Sequence, residues 1–381
     1  MTGRSIKIAT VAGIPIGISP WWLAMVALIS WLPGESWFPD AVEGIAPATA
    51  YAMGLASALL LFAGVLAHEI GHALVARRYG IVVEEIDLWL LGGVAKLRGE
   101  AHVPEHELRY ALAGPAVTAV LVALLALVFV AAGAPTDTIV GALLEYQLIV
   151  NAMILAFNLL PAFPLDGGRV LRALLWRRSG DMLRATATAS AVGRAFGYGL
   201  LALGGLEVVV GGGPGGLWLA LVGLFLVLSA SSQQVAAEVR AVFSGVPAHD
   251  LMATPVAVLP AGISIDCAVA DYCSQHRYSA FPAIDVDGRH VGIVTLDAIE
   301  RLPMIERAHR TVGDLADRDP ELVLREHDDV AELLERPAFG RVGRAVVVDA
   351  RGRPIGIVSI TDVRRAVRAA RLTRAPTGKA L

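Results

Sequence analysis

Near the end of a long apolar run stands the pentapeptide His68-Glu69-Ile70-Gly71-His72. Residues four apart share a helical face, so on a helix the two imidazoles can reach one metal ion while Glu69 stands beside it as a base. A catalytic zinc takes three protein ligands and keeps a position open for water, so a third His, Glu or Asp must be brought in by folding. The outstanding candidate is Asp166, in Asn158-Leu-Leu-Pro-Ala-Phe-Pro-Leu-Asp166-Gly-Gly-Arg169. Two prolines and two glycines interrupt the helix where that carboxylate appears, and irregular backbone at membrane depth is tolerated only where protein or a wet cavity covers it. The plainer reading of Asp166 is an N-cap for a helix over residues 169–178. His102 and His106 are rival ligands, but they fall in the polar stretch 98–109, where surface histidines are ordinary.

Such a set suits hydrolysis of a peptide bond. Zinc lowers the pKa of bound water toward about 7, and a carboxylate can take the proton during attack and pass one to the leaving amine. The surroundings sharpen the reading, because ionisable groups inside a membrane span are costly and usually functional.

The elements that must position these residues are membrane helices. The chain has 381 residues, 55% hydrophobic and 18% charged, with a mean hydropathy of +0.61, against about 25% charged for soluble proteins. Six segments can meet the roughly 20 mostly apolar residues a span needs: 14–32, 48–75, 110–132, 139–160, 189–210 and 217–236. No basic, apolar and A-x-A leader precedes the first, which reads as a retained span. Arginines and lysines gather before the first span (Arg4, Lys7), between the second and third (Arg77, Arg78, Lys96, Arg98, Arg109) and between the fourth and fifth (Arg169, Arg172, Arg177, Arg178, Arg184). The alternate connections carry none, which places both termini in the cytoplasm. His72 then lies five residues before Arg77, roughly 8 to 13 Å below the cytoplasmic surface. A net charge of −3 and the lack of a long basic run argue against nucleic acid as a partner. Cys267 and Cys273, in the polar C-terminal part, make neither a disulfide framework nor a zinc module.

From about residue 246 short β runs alternate with helical stretches, and a unit repeats. Phe281-Pro-Ala-Ile-Asp-Val-Asp-Gly-Arg-His-Val-Gly-Ile-Val-Thr295 parallels Ala345-Val-Val-Val-Asp-Ala-Arg-Gly-Arg-Pro-Ile-Gly-Ile-Val-Ser359, a tandem pair of α/β units whose strands are bounded by Asp-Gly or Arg-Gly turns.

Together, His68-Glu69-x-x-His72 and Asn158-x-x-Pro-x-x-Pro-Leu-Asp166-Gly-Gly resemble the site-2 proteases, intramembrane zinc metallopeptidases of the M50 type. Gly92-Gly93 and Ala113-Gly114-Pro115 are supporting matches. The resemblance implies a multi-domain protein: a polytopic α-helical membrane domain over 1–240, with six transmembrane helices and a small β element, followed by a cytoplasmic module over 241–381. It implies one Zn2+ per chain on His68, His72 and Asp166, Glu69 as catalytic base, Asn158 as a group that polarises the substrate or holds the oxyanion, and single-span membrane proteins as substrates in the bilayer. The stretch 86–97 looks like a membrane-dipping hairpin whose edge pairs with an unwound substrate. The tandem units resemble a pair of CBS domains, about 247–303 and 311–372. In that family such pairs bind adenine nucleotides through a Gly-h-h-Ser/Thr-x-x-Asp motif, which implies ribose contacts from Ser359 and Asp362; the first unit departs, with Ala298 in the Asp position. The resemblance also suggests a homodimer through these domains. The rival reading is a CBS-regulated transporter or channel, but no inverted repeat is visible and it offers no reason for H-E-x-x-H.

Overall fold

The computed structural model describes residues 5–89, 92–98, 101, 103–133, 135–211, 214–275 and 278–373. The chain divides into two compact units, Met1–Ala236 and Ala237–Leu381.

The first unit begins with strands β1 (Ile6–Val11) and β2 (Ile14–Ile18), then helices α1 (Pro20–Glu35), α2 (Trp37–Ala41) and α3 (Pro47–Arg78). Strands β3 (Val82–Trp89) and β4 (Gly92–Arg98) follow, and then α4 (Pro104–Ala132), α5 (Ile139–Asn158), α6 (Asp166–Ser179), α7 (Met182–Val210) and α8 (Pro214–Phe243). Local chemistry sets most boundaries. Prolines open α3 and α4 at the first helical turn, where a missing N–H costs nothing. Thr138 and Asp181 cap α5 and α7 by accepting from Gly141 N and Arg184 N. Gly133, Gly180 and Gly211 end α4, α6 and α7 in the left-handed conformation.

Five helices among the described residues, not six, are long and apolar enough to cross a membrane. The expected first span, 14–32, is divided. Its opening residues form β2, and Ser19 then starts a 16-residue helix that contains Pro33. At 1.5 Å per residue that helix is about 24 Å long, short of a hydrocarbon core about 30 Å thick. The apolarity of Ile14 and Ile16 serves a sheet: Ile14 is buried with Ile86 and with Ala73 of α3, and Ile16 is buried opposite Ile86 in the ladder.

That sheet has the order β1-β2-β3-β4. β2 and β3 run parallel, with Ile16 opposite Ile86 and Ile18 opposite Leu88, and the other two pairs are antiparallel. The sheet therefore ties the N-terminal strands to the chain that leaves α3. β4 is an edge strand, and the hairpin tip at residues 90–91 lies outside the described residues.

The second unit holds two three-stranded sheets: β5 (Leu259–Pro260), β6 (Ala280–Ile284) and β7 (His290–Thr295), then β8 (Val323–Arg325), β9 (Arg344–Val348) and β10 (Pro354–Ser359). Each pairs its first two strands parallel and its last two antiparallel. Even the turns match: Asp285 Oδ1 accepts from the N–H groups of Asp287 and Arg289, and Asp349 Oδ1 from those of Arg351 and Arg353. The repeat read in the sequence is a repeat of folded units, with cores around Phe281 and Val294 and around Val347 and Val358.

Candidate metal centre

α3 carries His68, Glu69 and His72, and one turn of helix between the histidines puts both rings on the face that meets α4. His72 Nδ1 lies 2.8 Å from the carbonyl oxygen of Tyr110, which can only accept, so Nδ1 donates, and in the neutral ring Nε2 then keeps its lone pair. His68 Nδ1 lies 2.9 Å from Thr118 Oγ1, which can accept in the same way. With both Nδ1 atoms held, the two Nε2 atoms face each other at 3.1 Å.

The Pro-rich break brings Asp166 to the same point. It is the first residue of α6, and the capping position belongs to Leu165, with no side-chain cap. Asp166 is therefore not the N-cap that its position before a helix allows. Its Oδ2 stands 3.1 Å from His68 Nε2 and its Oδ1 3.2 Å from His72 Nε2. These three side chains, all buried or nearly so, are the described cluster able to hold a metal.

The donor set fits zinc. Ligand bonds of about 2.0 Å in a tetrahedron set ligand atoms about 3.3 Å apart, close to the spacing here. Lone pairs from two neutral imidazoles and a carboxylate converging in a buried place repel one another unless a cation lies between them. Backbone clearance fits too: a Cβ on Gly114 of α4 would stand 2.5 Å from His68 Nε2 and nearer still to His72 Nε2. The α4 backbone thus lies directly against the metal-facing atoms.

Glu69, half-buried, packs under the sheet. A Cβ on Gly93 of β4 would meet its Cγ at 2.5 Å, so glycine at that position lets the hairpin approach the carboxylate. Asn158 is half-buried at the last residue of α5. His106 stacks on Tyr79 with ring centroids 4.0 Å apart; His102 lies outside the described residues.

Sequence reasoning missed the groups around the ligands: Thr118, the Tyr110 carbonyl, and a buried ion pair between Glu107 of α4 and Arg172 of α6. The signal was spacing. Glu107, Tyr110, Gly114 and Thr118 recur at steps of three, four and four, one stripe of a helix.

In the second unit, Ser359 and Asp362 meet at the start of the last helix. Ser359 Oγ donates to Asp362 Oδ2 at 2.5 Å, Ser359 N donates to the same oxygen, and Asp362 N donates to Ser359 Oγ. This reciprocal arrangement is a capping box. Both residues also line a cleft of about 290 Å³ with Ala253, Tyr278, Arg344 and Ile357. In the first repeat Thr295 caps alone, accepting from Ala298 N. Cys267 and Cys273 are free thiols.

The profile of peptidase family M50 matches residues 56–137 and 131–200, and that of the CBS domain matches 248–304 and 312–369. "Putative zinc metalloprotease Rip3" of Mycobacterium tuberculosis is 36% identical over 97% of this chain and 94% of its own length. "Zinc metalloprotease MJ0392" of Methanocaldococcus jannaschii is 34% identical over 81% and 84%. A solved site-2 protease from Methanocaldococcus jannaschii is similar at 30% identity, covering 61% of this chain and 95% of that one, with a TM-score of 0.42.

Proposed function

Because the chain belongs to peptidase family M50 and carries a CBS-domain pair, we propose that it is a zinc-dependent intramembrane endopeptidase. It cuts membrane-spanning protein substrates near the cytosolic side, under regulation by its CBS pair. The observation that carries this reading is the convergence of His68 Nε2, His72 Nε2 and an Asp166 carboxylate, with both Nδ1 atoms held from behind.

Zinc held there supplies Lewis-acid polarisation of a peptide carbonyl and water activated near neutral pH. Glu69 takes the proton of the attacking water as the new C–O bond forms at the carbonyl carbon, then delivers a proton to the departing nitrogen as the C–N bond breaks. A carboxylate and an amine result. Asn158 serves as a donor to the carbonyl oxygen. The free edge of β4 takes the unwound substrate as an added strand, a role supported by the contact of Gly93 with Glu69; cleavage that survived proline or charged substitutions between Leu88 and Leu91 would count against it.

The membrane unit occupies about 1–240 and the CBS module 241–381, with both termini cytoplasmic. The pairing of β2 with β3 supports this orientation, because it holds the N-terminal strands beside the chain that leaves α3 after Arg77 and Arg78. The CBS pair takes one adenine nucleotide in the cleft of Ser359 and Asp362 and mediates a homodimer. A transporter reading gives no role to two histidines whose Nδ1 atoms are fixed and whose Nε2 atoms face a carboxylate.

The test is a Glu69→Gln variant assayed with a single-span substrate while bound zinc is measured. Lost cleavage with zinc retained is expected. Retained cleavage would sink the mechanism.

A further inference from the structure

The three metal-facing side chains come from two helices, and α4 faces both. Its stripe meets α3 at Thr118, which holds His68 Nδ1, at Gly114, which clears both Nε2 atoms, and at the Tyr110 carbonyl, which holds His72 Nδ1. Asp166 has no such direct hold from α4. Further along the stripe, Glu107 accepts instead from Arg172 of α6: Nε lies 2.6 Å from Oε1, and a terminal guanidinium nitrogen reaches the same oxygen. Arg172 follows Asp166 by six residues, about 9 Å of helix. Its guanidinium also lies over the ring of Phe163, 5.3 Å from the centroid, in the loop that precedes Asp166. One side chain thus grips the ligand's helix and the ligand's loop.

The pair is deeply buried, Glu107 being 2% and Arg172 6% exposed. As adhesive alone it is a poor choice, because apolar side chains of similar volume hold two helices at least as well as a buried ion pair. What the planar guanidinium adds is direction and register.

We propose that the Glu107–Arg172 ion pair is the positioning device of the third metal ligand. It sets the height and rotation of α6 so that Asp166 meets the two Nε2 atoms, as Thr118 and the Tyr110 carbonyl set the imidazoles. The inference rests on the zinc-site reading above and concerns positioning residues, not groups that touch the metal.

The test uses the full chain in detergent or nanodiscs and three readouts: thermal stability of the metal-free protein, zinc affinity by chelator competition, and the visible absorption of the cobalt-substituted site. The central variant is the apolar double substitution Glu107→Leu with Arg172→Met. Met25→Ala, in an α1–α3 cluster that contains none of the metal-facing residues or their hydrogen-bond partners, sets the loss of zinc affinity that destabilisation alone produces. Orienting partners of metal ligands are worth about 10–100-fold in affinity, so the double variant should bind zinc about 10–100-fold more weakly, with an altered cobalt spectrum. Arg172→Lys, which keeps the charge and loses the fork, should fall between it and the wild type. A double variant whose zinc loss is no greater than that of Met25→Ala, at matched loss of melting temperature, overturns the proposal. Wild-type protein that binds no zinc overturns the metal centre and this proposal with it.

Discussion

The Gly114→Ala variant isolates the contact between the α4 backbone and the metal ligands. The added Cβ would sit 2.5 Å from His68 Nε2 and closer to His72 Nε2, so both rings must withdraw by about 1 Å, a displacement able to cost 10²-fold where geometry governs chemistry. They cannot withdraw freely, since each is held from behind at Nδ1. Losing ligand orientation costs about 10–100-fold in metal affinity, or roughly 1.4–2.7 kcal/mol. The helix itself should not suffer, because alanine is favoured over glycine in a helix interior by about 1 kcal/mol. Because overpacking of buried side chains costs about 1–3 kcal/mol, the metal-free variant should melt at or modestly below the wild type, while zinc affinity falls by that factor and cleavage falls at least as far. Gly205→Ala, in open space on α7, is the control expected to leave zinc affinity unchanged. Wild-type zinc affinity in Gly114→Ala would refute the close approach of α4 to the two imidazoles.

Three further outcomes follow from neighbouring observations. Thr118→Val removes the partner of His68 Nδ1 and should weaken zinc binding by about 10-fold or more, read by chelator competition. Asp362→Ala should abolish adenine-nucleotide binding, measured by calorimetry, and lower the stability of the CBS unit by about 1 kcal/mol through loss of the cap; undiminished nucleotide binding would leave Asp362 with the capping role alone. Burial lowers the pKa of His290, so the folded state favours the neutral ring. Its stabilising effect is complete above the unfolded value of about 6.5 and is lost as pH falls toward the folded value. Asp314 and Asp349 are also lowered, chiefly by backbone hydrogen bonds from Thr311 and Arg353, and their effects fade only below about pH 4. Between pH 7.5 and 5.5 the CBS unit should therefore lose melting temperature in the wild type and less in His290→Gln.

Residues whose chemistry lies in their own side chains were legible in the sequence. His68 and His72 announce themselves by a spacing of four, and Asp166 by a break that only a buried site tolerates. α1 was misread because a buried strand and the start of a span share one apolar signature: Ile14 and Ile16 are buried in a sheet, not against lipid, and periodicity over so few residues does not separate the two. The α4 stripe was hidden for another reason. Gly114 acts by having no side chain and Tyr110 through its carbonyl, so residue type says little about either role. Arg172 was counted among the charges that orient the protein in the membrane, whereas it is buried against Glu107; a charge count does not distinguish a solvated arginine from a paired one. In the CBS unit the repeat was plain, because each hairpin carries the same Asx turn, but the dual use of Ser359 and Asp362 as cap and cleft wall emerges only in three dimensions.

Asp166 follows His68 by 98 residues, and that separation has a meaning for the protein's synthesis. At about 5–20 residues per second, roughly 5 to 20 seconds pass between the making of the H-E-x-x-H helix and the arrival of the residue that completes the ligand set. During that interval the nascent chain holds its base and two imidazoles beside the other apolar segments entering the bilayer, without the carboxylate that would make it a hydrolase. The order of the ligands along the chain thus leaves the set incomplete while α4 and α5 are made, and the first residue of α6 completes it.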